Sequence, residues 1–162
     1  MDVGSISNAG LLVIMILMFI GASPGSTGGG IKTTTFFVLM QQVRSIFSKR
    51  RLGGFHRRLP DGSLSKAATI MLMGLMVVGC GTFALCVLEP QLDFGRLLFE
   101  QISAYSTAGL STGITAELCP ASRVVLILTM FIGRVGAVTL LSLWVERPAP
   151  SAQYTEENIT IG

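Results

Sequence analysis

The sequence predicts an all-α membrane protein: a span, a short re-entrant pore helix with a filter-like return loop, and a second span, preceded by one broken transmembrane helix. Three observations carry that expectation. Half of the 162 residues are hydrophobic, 13% are charged and the mean hydropathy is +0.65, the composition of a membrane chain rather than of a soluble domain. The charges are segregated. Arg44, Lys49, Arg50, Arg51, Arg57, Arg58 and Lys66 stand against the single acid Asp61, whereas Glu89, Asp93, Glu100 and Glu117 stand against Arg96. The positive-inside bias makes the first group cytoplasmic and the second external. Finally, the apolar runs come in two lengths, some able to cross a bilayer and some too short.

The first short run, Gly10 to Ile20, cannot span a hydrocarbon core alone. No charged n-region precedes it and no small-residue cleavage site follows, so it reads as part of the mature protein rather than as a signal peptide. Next come Gly21, Ala22, Ser23, Pro24, Gly25, Ser26, Thr27, Gly28, Gly29 and Gly30, whose glycines and proline exclude a continuous helix. Ile31 to Phe47 then resumes a helical pattern. Together the three pieces have the length of one broken transmembrane helix with a hydroxyl-bearing loop at membrane depth; a soluble linker is the alternative. A phosphate-binding loop is a poor fit. Ile31 intervenes between Gly30 and Lys32, and no buried strand precedes Gly25. Lys32 is expected just cytoplasmic of the loop or facing water, because a lysine facing lipid is costly.

Residues 48–66 form a basic cytoplasmic connector with turn signals at Gly53-Gly54 and Pro60-Asp61-Gly62. His56 reads as a solvated loop histidine, and the apolar runs on both sides argue against a nucleic-acid patch. Ala67 to Leu88 carries no charge and is long enough to cross with some tilt. Gly74, Gly79 and Gly81 are expected to bring other helices close, and Glu89-Pro90 ends the run. Cys80, Cys86 and Cys119 lack C-x-x-C spacing, and are expected to pack rather than to bind metal or form a disulfide framework.

Phe94 to Tyr105 places Phe94, Leu97, Leu98, Ile102 and Tyr105 on one helical face. At about 1.5 Å per residue it rises roughly 18 Å, against a hydrocarbon core of about 30 Å. It can enter a bilayer but not cross it. Ser106 to Gly113 is small, uncharged and rich in hydroxyls, and such backbone is tolerated at membrane depth only if it lines water or packs in protein. Two readings stand. In one, carbonyl and hydroxyl oxygens replace the hydration shell of a cation at the partially negative end of the short helix; in the other, this is an external loop with a surface helix. After the break at Glu117-Leu118-Cys119-Pro120, Val124 to Val145 is expected to be a second span with Arg134 at its centre, flanked by Gly133 and Gly136. An arginine there costs at least about 2.5 kcal/mol on insertion scales, so it either faces a water-filled path or is tied to backbone carbonyls. The tail, 146–162, is assigned to the cytoplasm.

Three strings, FIGASPGSTGGGIKTTTF at Phe19 to Phe36, STAGLSTGIT at Ser106 to Thr115 and FIGRVGAVTL at Phe131 to Leu140, resemble the Trk/Ktr/HKT superfamily of potassium transporters, most closely the Ktr-type membrane subunit. Such proteins resemble four span-pore-span repeats fused around one pore. The likeness covers nearly the whole chain but only the C-terminal portion of a family member. It implies that 1–47 is the second span of the third repeat, that 67–145 is the fourth repeat, and that the chain is a fragment inactive alone. It further implies that Ser106, Thr107, Ala108, Gly109 and Leu110 supply one quarter of an ion filter. Gly21 to Gly30 would be an intramembrane gate loop below it and Arg134 a pore-facing charge. By the same resemblance the function is potassium uptake by channel-like translocation or symport, with sodium as a coupling or activating ion and no cofactor or metal beyond the transported potassium. The implied partners are membrane lipid, a second copy in a homodimer and a cytosolic nucleotide-binding regulatory ring, with no nucleic acid. The implied location is the plasma membrane, multi-pass, as in a bacterial inner membrane. A small accessory membrane subunit is the rival reading. An enzyme finds no support in the residues, which offer no carboxylate pair, nucleophile with base, or metal-ligand spacing.

Overall fold

The computed structural model describes residues 6–48, 53–54, 57–58 and 62–136. Within them run five α-helices: α1 Asn8–Phe19, α2 Thr33–Ser48, α3 Ser63–Leu88, α4 Phe94–Ser106 and α5 Pro120–Val135. A 3-10 turn, Ile114–Ala116, precedes α5, and the connector holds a minimal antiparallel ladder of β1 Gly53–Gly54 with β2 Arg57–Arg58. His56 and residues 137–162 lie outside the described residues.

Helices α1 and α2 lie on either side of the glycine-rich loop. Ser7 caps α1, its hydroxyl accepting from the Gly10 N–H at 3.4 Å. Where the glycines begin, the helix ends, and the ends of the loop are then pinned together. Ile31 N–H donates to the Phe19 carbonyl at 3.2 Å and Thr33 N–H to that of Ala22 at 3.4 Å, with Ile20 and Ile31 bridged in parallel. The loop is therefore a closed excursion, not a slack spacer. Helix α1 packs on α4 and α2 on α3.

Helix α3, with 26 residues, is the one helix among the described residues long and apolar enough to cross a membrane. At about 1.5 Å per residue it is roughly 39 Å long. It buries a single stripe of Ala67, Gly74, Val78, Thr82 and Leu85, while Leu72, Leu75, Met76, Phe83 and Val87 face outward. Such an apolar exterior suits a lipid environment and not water. Its start lies upstream of the expected Ala67, because Gly62 (φ 84) makes the turn and Ser63 to Lys66 can join the helix.

Helix α4 is the core. The Asp93 carboxylate caps it, accepting from the Gly95 N–H at 2.9 Å, and every residue from Phe99 to Ser106 is buried. Helices α1, α3 and α5 surround it. On one side lie Met18, Ile31 and Val78 against Phe99, Ile102 and Tyr105, with the Phe19 and Tyr105 rings 5.9 Å apart; on the other, Leu85, Ile114, Leu118 and Leu126 pack against Leu97 and Ala104. The C-terminal end of α3 and the N-terminal end of α5 are stapled by Glu89. Its Oε1 accepts from Cys119 N–H at 2.6 Å and Ser122 Oγ at 3.0 Å, a carboxylate at a helix N-terminus where the macrodipole favours it. Cys119 does more than pack: it is the N-cap of α5, with its sulfur accepting from Ser122 N–H at 3.5 Å. All three cysteines are free thiols.

Two expectations require correction. Helix α5 starts at Pro120, a favoured first helical residue, ahead of the expected Val124, and stops at Val135, and the rest of the expected run, 137–145, lies outside the described residues. Gly136, at φ 89 and ψ 125, turns the chain out of helical geometry, so Arg134 occupies the last turn rather than the middle of a helix. Gly79 faces open space rather than a neighbouring helix.

Candidate ion-conduction site

Glycine contacts fix the height at which α4 stops. A Cβ on Gly81 would overlap the Gln101 amide, and one on Gly74 would lie 2.8 Å from the Tyr105 hydroxyl, so α3 and α4 run antiparallel in direct contact. Gly74 sits about 21 Å of helix below Leu88, near the midpoint of α3. Helix α4 therefore runs back along α3 from its Leu88 end and reverses about half-way along it. A Cβ on Gly133 of α5 would overlap the Tyr105 carbonyl oxygen. One on Gly29 would lie 2.9 Å from that same oxygen, 3.1 Å from the Gly133 carbonyl and 3.1 Å from Thr107 Oγ1. Three chain segments thus meet around the last carbonyls of α4, and the Gly29 N–H donates to Thr107 Oγ1 at 2.9 Å.

The reversal begins at Thr107, the one non-glycine residue with positive φ (52) among those described. Its N–H donates to the Ala104 carbonyl at 3.1 Å and Ala108 N–H to that of Ser103 at 3.0 Å, closing the helix end. The chain then climbs beside α4. Ser103 Oγ accepts from Leu110 N–H at 3.1 Å and donates to the Leu110 carbonyl at 2.5 Å. One turn earlier the Glu100 carboxylate takes Ser111 Oγ, Thr112 N–H at 3.1 Å and Thr115 Oγ1 at 3.1 Å.

Of the five expected filter residues, Thr107 is half-buried while Ala108, Gly109 and Leu110 are exposed along the climbing segment. Ser106 is buried inside α4, and its hydroxyl donates to the Ile102 carbonyl at 2.8 Å. Gly109 (φ 72) has open space where a Cβ would go, so a side chain there meets backbone strain rather than a neighbour.

In the glycine-rich loop, Gly29 is buried, Ser23, Pro24, Gly25, Ser26 and Thr27 are exposed, and Gly21, Ala22, Gly28 and Gly30 are intermediate. Lys32 is partly exposed. It folds back, and Nζ donates to the carbonyls of Gly28 at 2.6 Å and Ser26 at 3.5 Å. Arg134 is exposed and follows Gly133, which places it at the height of the reversal although it ends α5. Sequence reasoning missed Glu100, counted only as an external acid, along with Ser103 and the buried link from Gln101 Nε2 to Thr129 Oγ1 at 2.8 Å. One signal was present for Glu100: it is an acid one turn before a hydroxyl-rich return, inside a half-span with only Arg96 as another charge.

The arrangement presents uncharged backbone and hydroxyl oxygens at the carbonyl end of a short helix, together with a lysine and an arginine at the margins. Among the described residues no cluster of His, Cys, Asp or Glu could hold a metal ion. The TrkH cation transport protein model matches residues 1–156. The chain belongs to that family. Ktr system potassium uptake protein D of Bacillus subtilis is 38% identical over 99% of this chain. Ktr system potassium uptake protein B of the same organism is 34% identical over 100% of it, and the potassium/sodium uptake protein NtpJ of Enterococcus hirae 36% identical over 99%. The chain spans about a third of the length of these relatives, 36 to 37%. The TrkH family is one of membrane cation transporters, not of enzymes.

Proposed function

We propose that this chain is part of a potassium uptake system and supplies one quarter of its ion filter, with Thr107, Ala108 and Gly109 facing the ion and Leu110 anchoring the end of that segment on Ser103. The observation that carries this reading is the reversal of α4 at mid-height of α3, in contact with both Gly29 and Gly133. A surface loop has no reason to reach that depth. There the carbonyl end of α4 is partially negative and attracts a cation, while the climbing oxygens replace its water. Ser106 supports this segment from within α4 rather than coordinating.

The loop from Gly21 to Gly30 closes the path beneath the filter, held in shape by Lys32 and latched to Thr107. Arg134, at the same height, sets a fixed positive charge beside the path and raises the barrier for a passing cation. One climbing segment cannot surround a dehydrated ion, so conduction requires further repeats of the same kind, and this chain expressed alone carries no uptake. In the assembled protein we place a homodimer in the membrane, a regulatory ring docked on the basic connector 48–66, and sodium as a coupling or activating ion.

The test is a chimera in which this chain replaces the matching third of Ktr system potassium uptake protein D, expressed in a potassium-uptake-deficient strain. Gly109→Ser is expected to lower potassium-over-sodium discrimination, and Arg134→Ala to raise cation flux or change its gating. Unchanged selectivity in Gly109→Ser would remove the filter assignment; unchanged flux and gating in Arg134→Ala would remove the arginine's role.

A further inference from the structure

The Glu100 carboxylate is 5% exposed and takes no charged partner among the described residues. Burying a carboxylate is costly unless hydrogen bonds hold it, and all those it accepts come from the return arm that follows the climbing segment. Oε1 holds Ser111 Oγ and Thr112 N–H, and Oε2 holds Thr115 Oγ1. Ser111 Oγ in turn accepts from Gly113 N–H at 2.9 Å. One helical turn further down, Ser103 grips both backbone groups of Leu110. Residues 100 and 103 share one face of α4 and together fasten 110 to 115, leaving Thr107 to Gly109 as a short bridge between two fixed points.

We propose that Glu100 is the positioning residue that sets the curvature of this bridge, and hence the spacing of the oxygens offered to the ion. It touches no ion itself. A loose arm lets the oxygens close around a smaller cation as readily as a larger one; a fixed arm does not. This rests on the filter reading above and adds to it the group that makes the filter selective.

The geometry separates shape from charge. A glutamine keeps an acceptor for Ser111 and Thr112 and offers an N–H to Thr115 Oγ1, whereas aspartate is one carbon too short to reach all three. In the chimera described above, the readout is the ratio of rubidium to sodium uptake, which does not depend on how much protein reaches the membrane. Losing buried hydrogen bonds of this kind shifts an equilibrium by about tenfold, so E100A and E100D are expected to lower the ratio by about that factor, with E100Q retaining most of it. Thr115→Val and Ser111→Ala, at exposed and half-buried positions, each remove one partner and are expected to lower the ratio in part, giving a second reading should E100A not accumulate. An unchanged ratio in E100A, or in both partner variants, overturns the proposal, and so does E100Q falling as far as E100A, which would make the effect one of charge. Gly109→Ser run in parallel separates the two readings: if it shifts the ratio and E100A does not, only the role of Glu100 falls; if neither shifts it, the filter reading falls as well.

Discussion

At position 133 a single methyl group decides whether α5 can lie against the end of α4, because its Cβ would overlap the Tyr105 carbonyl. Gly133→Ala is expected to destabilise the folded chain by about 1–3 kcal/mol through overpacking, read as a lower midpoint of thermal unfolding in detergent. Gly79→Ala, whose Cβ would meet nothing within 4 Å, should stay within about 0.5 kcal/mol of the parent; an equal loss in both would refute the close approach. Glu89 gives a pH test at the same scale. The Cys119 backbone N–H, with help from the Cys119 and Ser122 side chains, holds its carboxyl below the ordinary value of 4.5. A depressed folded-state value means the staple stabilises above pH 4.5 and that this contribution is lost as the pH falls from there through the lower folded value. The parent should therefore outlast Glu89→Gln at neutral pH, and the two should converge in acid. A gap that stays constant down to strongly acidic pH would contradict the assignment.

Among the elements, the half-length of α4 was legible because the apolar face from Phe94 to Tyr105 stops where Ser106 begins a run of small hydroxyl residues; the helix ends at Ser106. The break between α1 and α2 was equally legible from its glycines. The end of α5 was not, since the apolar pattern runs on past Gly136 and only its backbone angles reveal the stop. Nor does spacing show that Lys32 turns back on Gly28, or that Glu100 points into the protein, because both depend on a return of the chain that sequence order does not encode. The contact from Gly29 to Thr107 is a latch between elements. Thr107→Val leaves the buried Gly29 N–H without an acceptor, which costs about 1–3 kcal/mol. Hydrogen exchange at residues 28–30 should then rise by about tenfold or more. Unchanged protection would mean that the glycine-rich loop is held by Lys32 and packing alone.

For the whole molecule, the outer faces of α1, α3 and α5 carry Leu12, Leu17, Leu72, Phe83, Ile127 and Phe131 toward the surroundings, while the buried centre is polar enough to hold Glu100, Gln101, Ser103 and Thr129. An apolar exterior around a polar centre is the inverse of a soluble domain, and it fits the family to which the chain belongs. The motif strings made that membership legible before any coordinates, but the common height of Gly74, Tyr105, Gly29 and Gly133 comes from the packing alone. Without that height the Thr107 to Leu110 segment is only a polar loop. The decisive measurement is anomalous scattering from rubidium in the assembled chimera. A rubidium peak in direct contact with the backbone oxygens of Thr107 to Gly109, level with Gly74, is the expected result; rubidium bound elsewhere, with that segment turned to external water, would contradict the account.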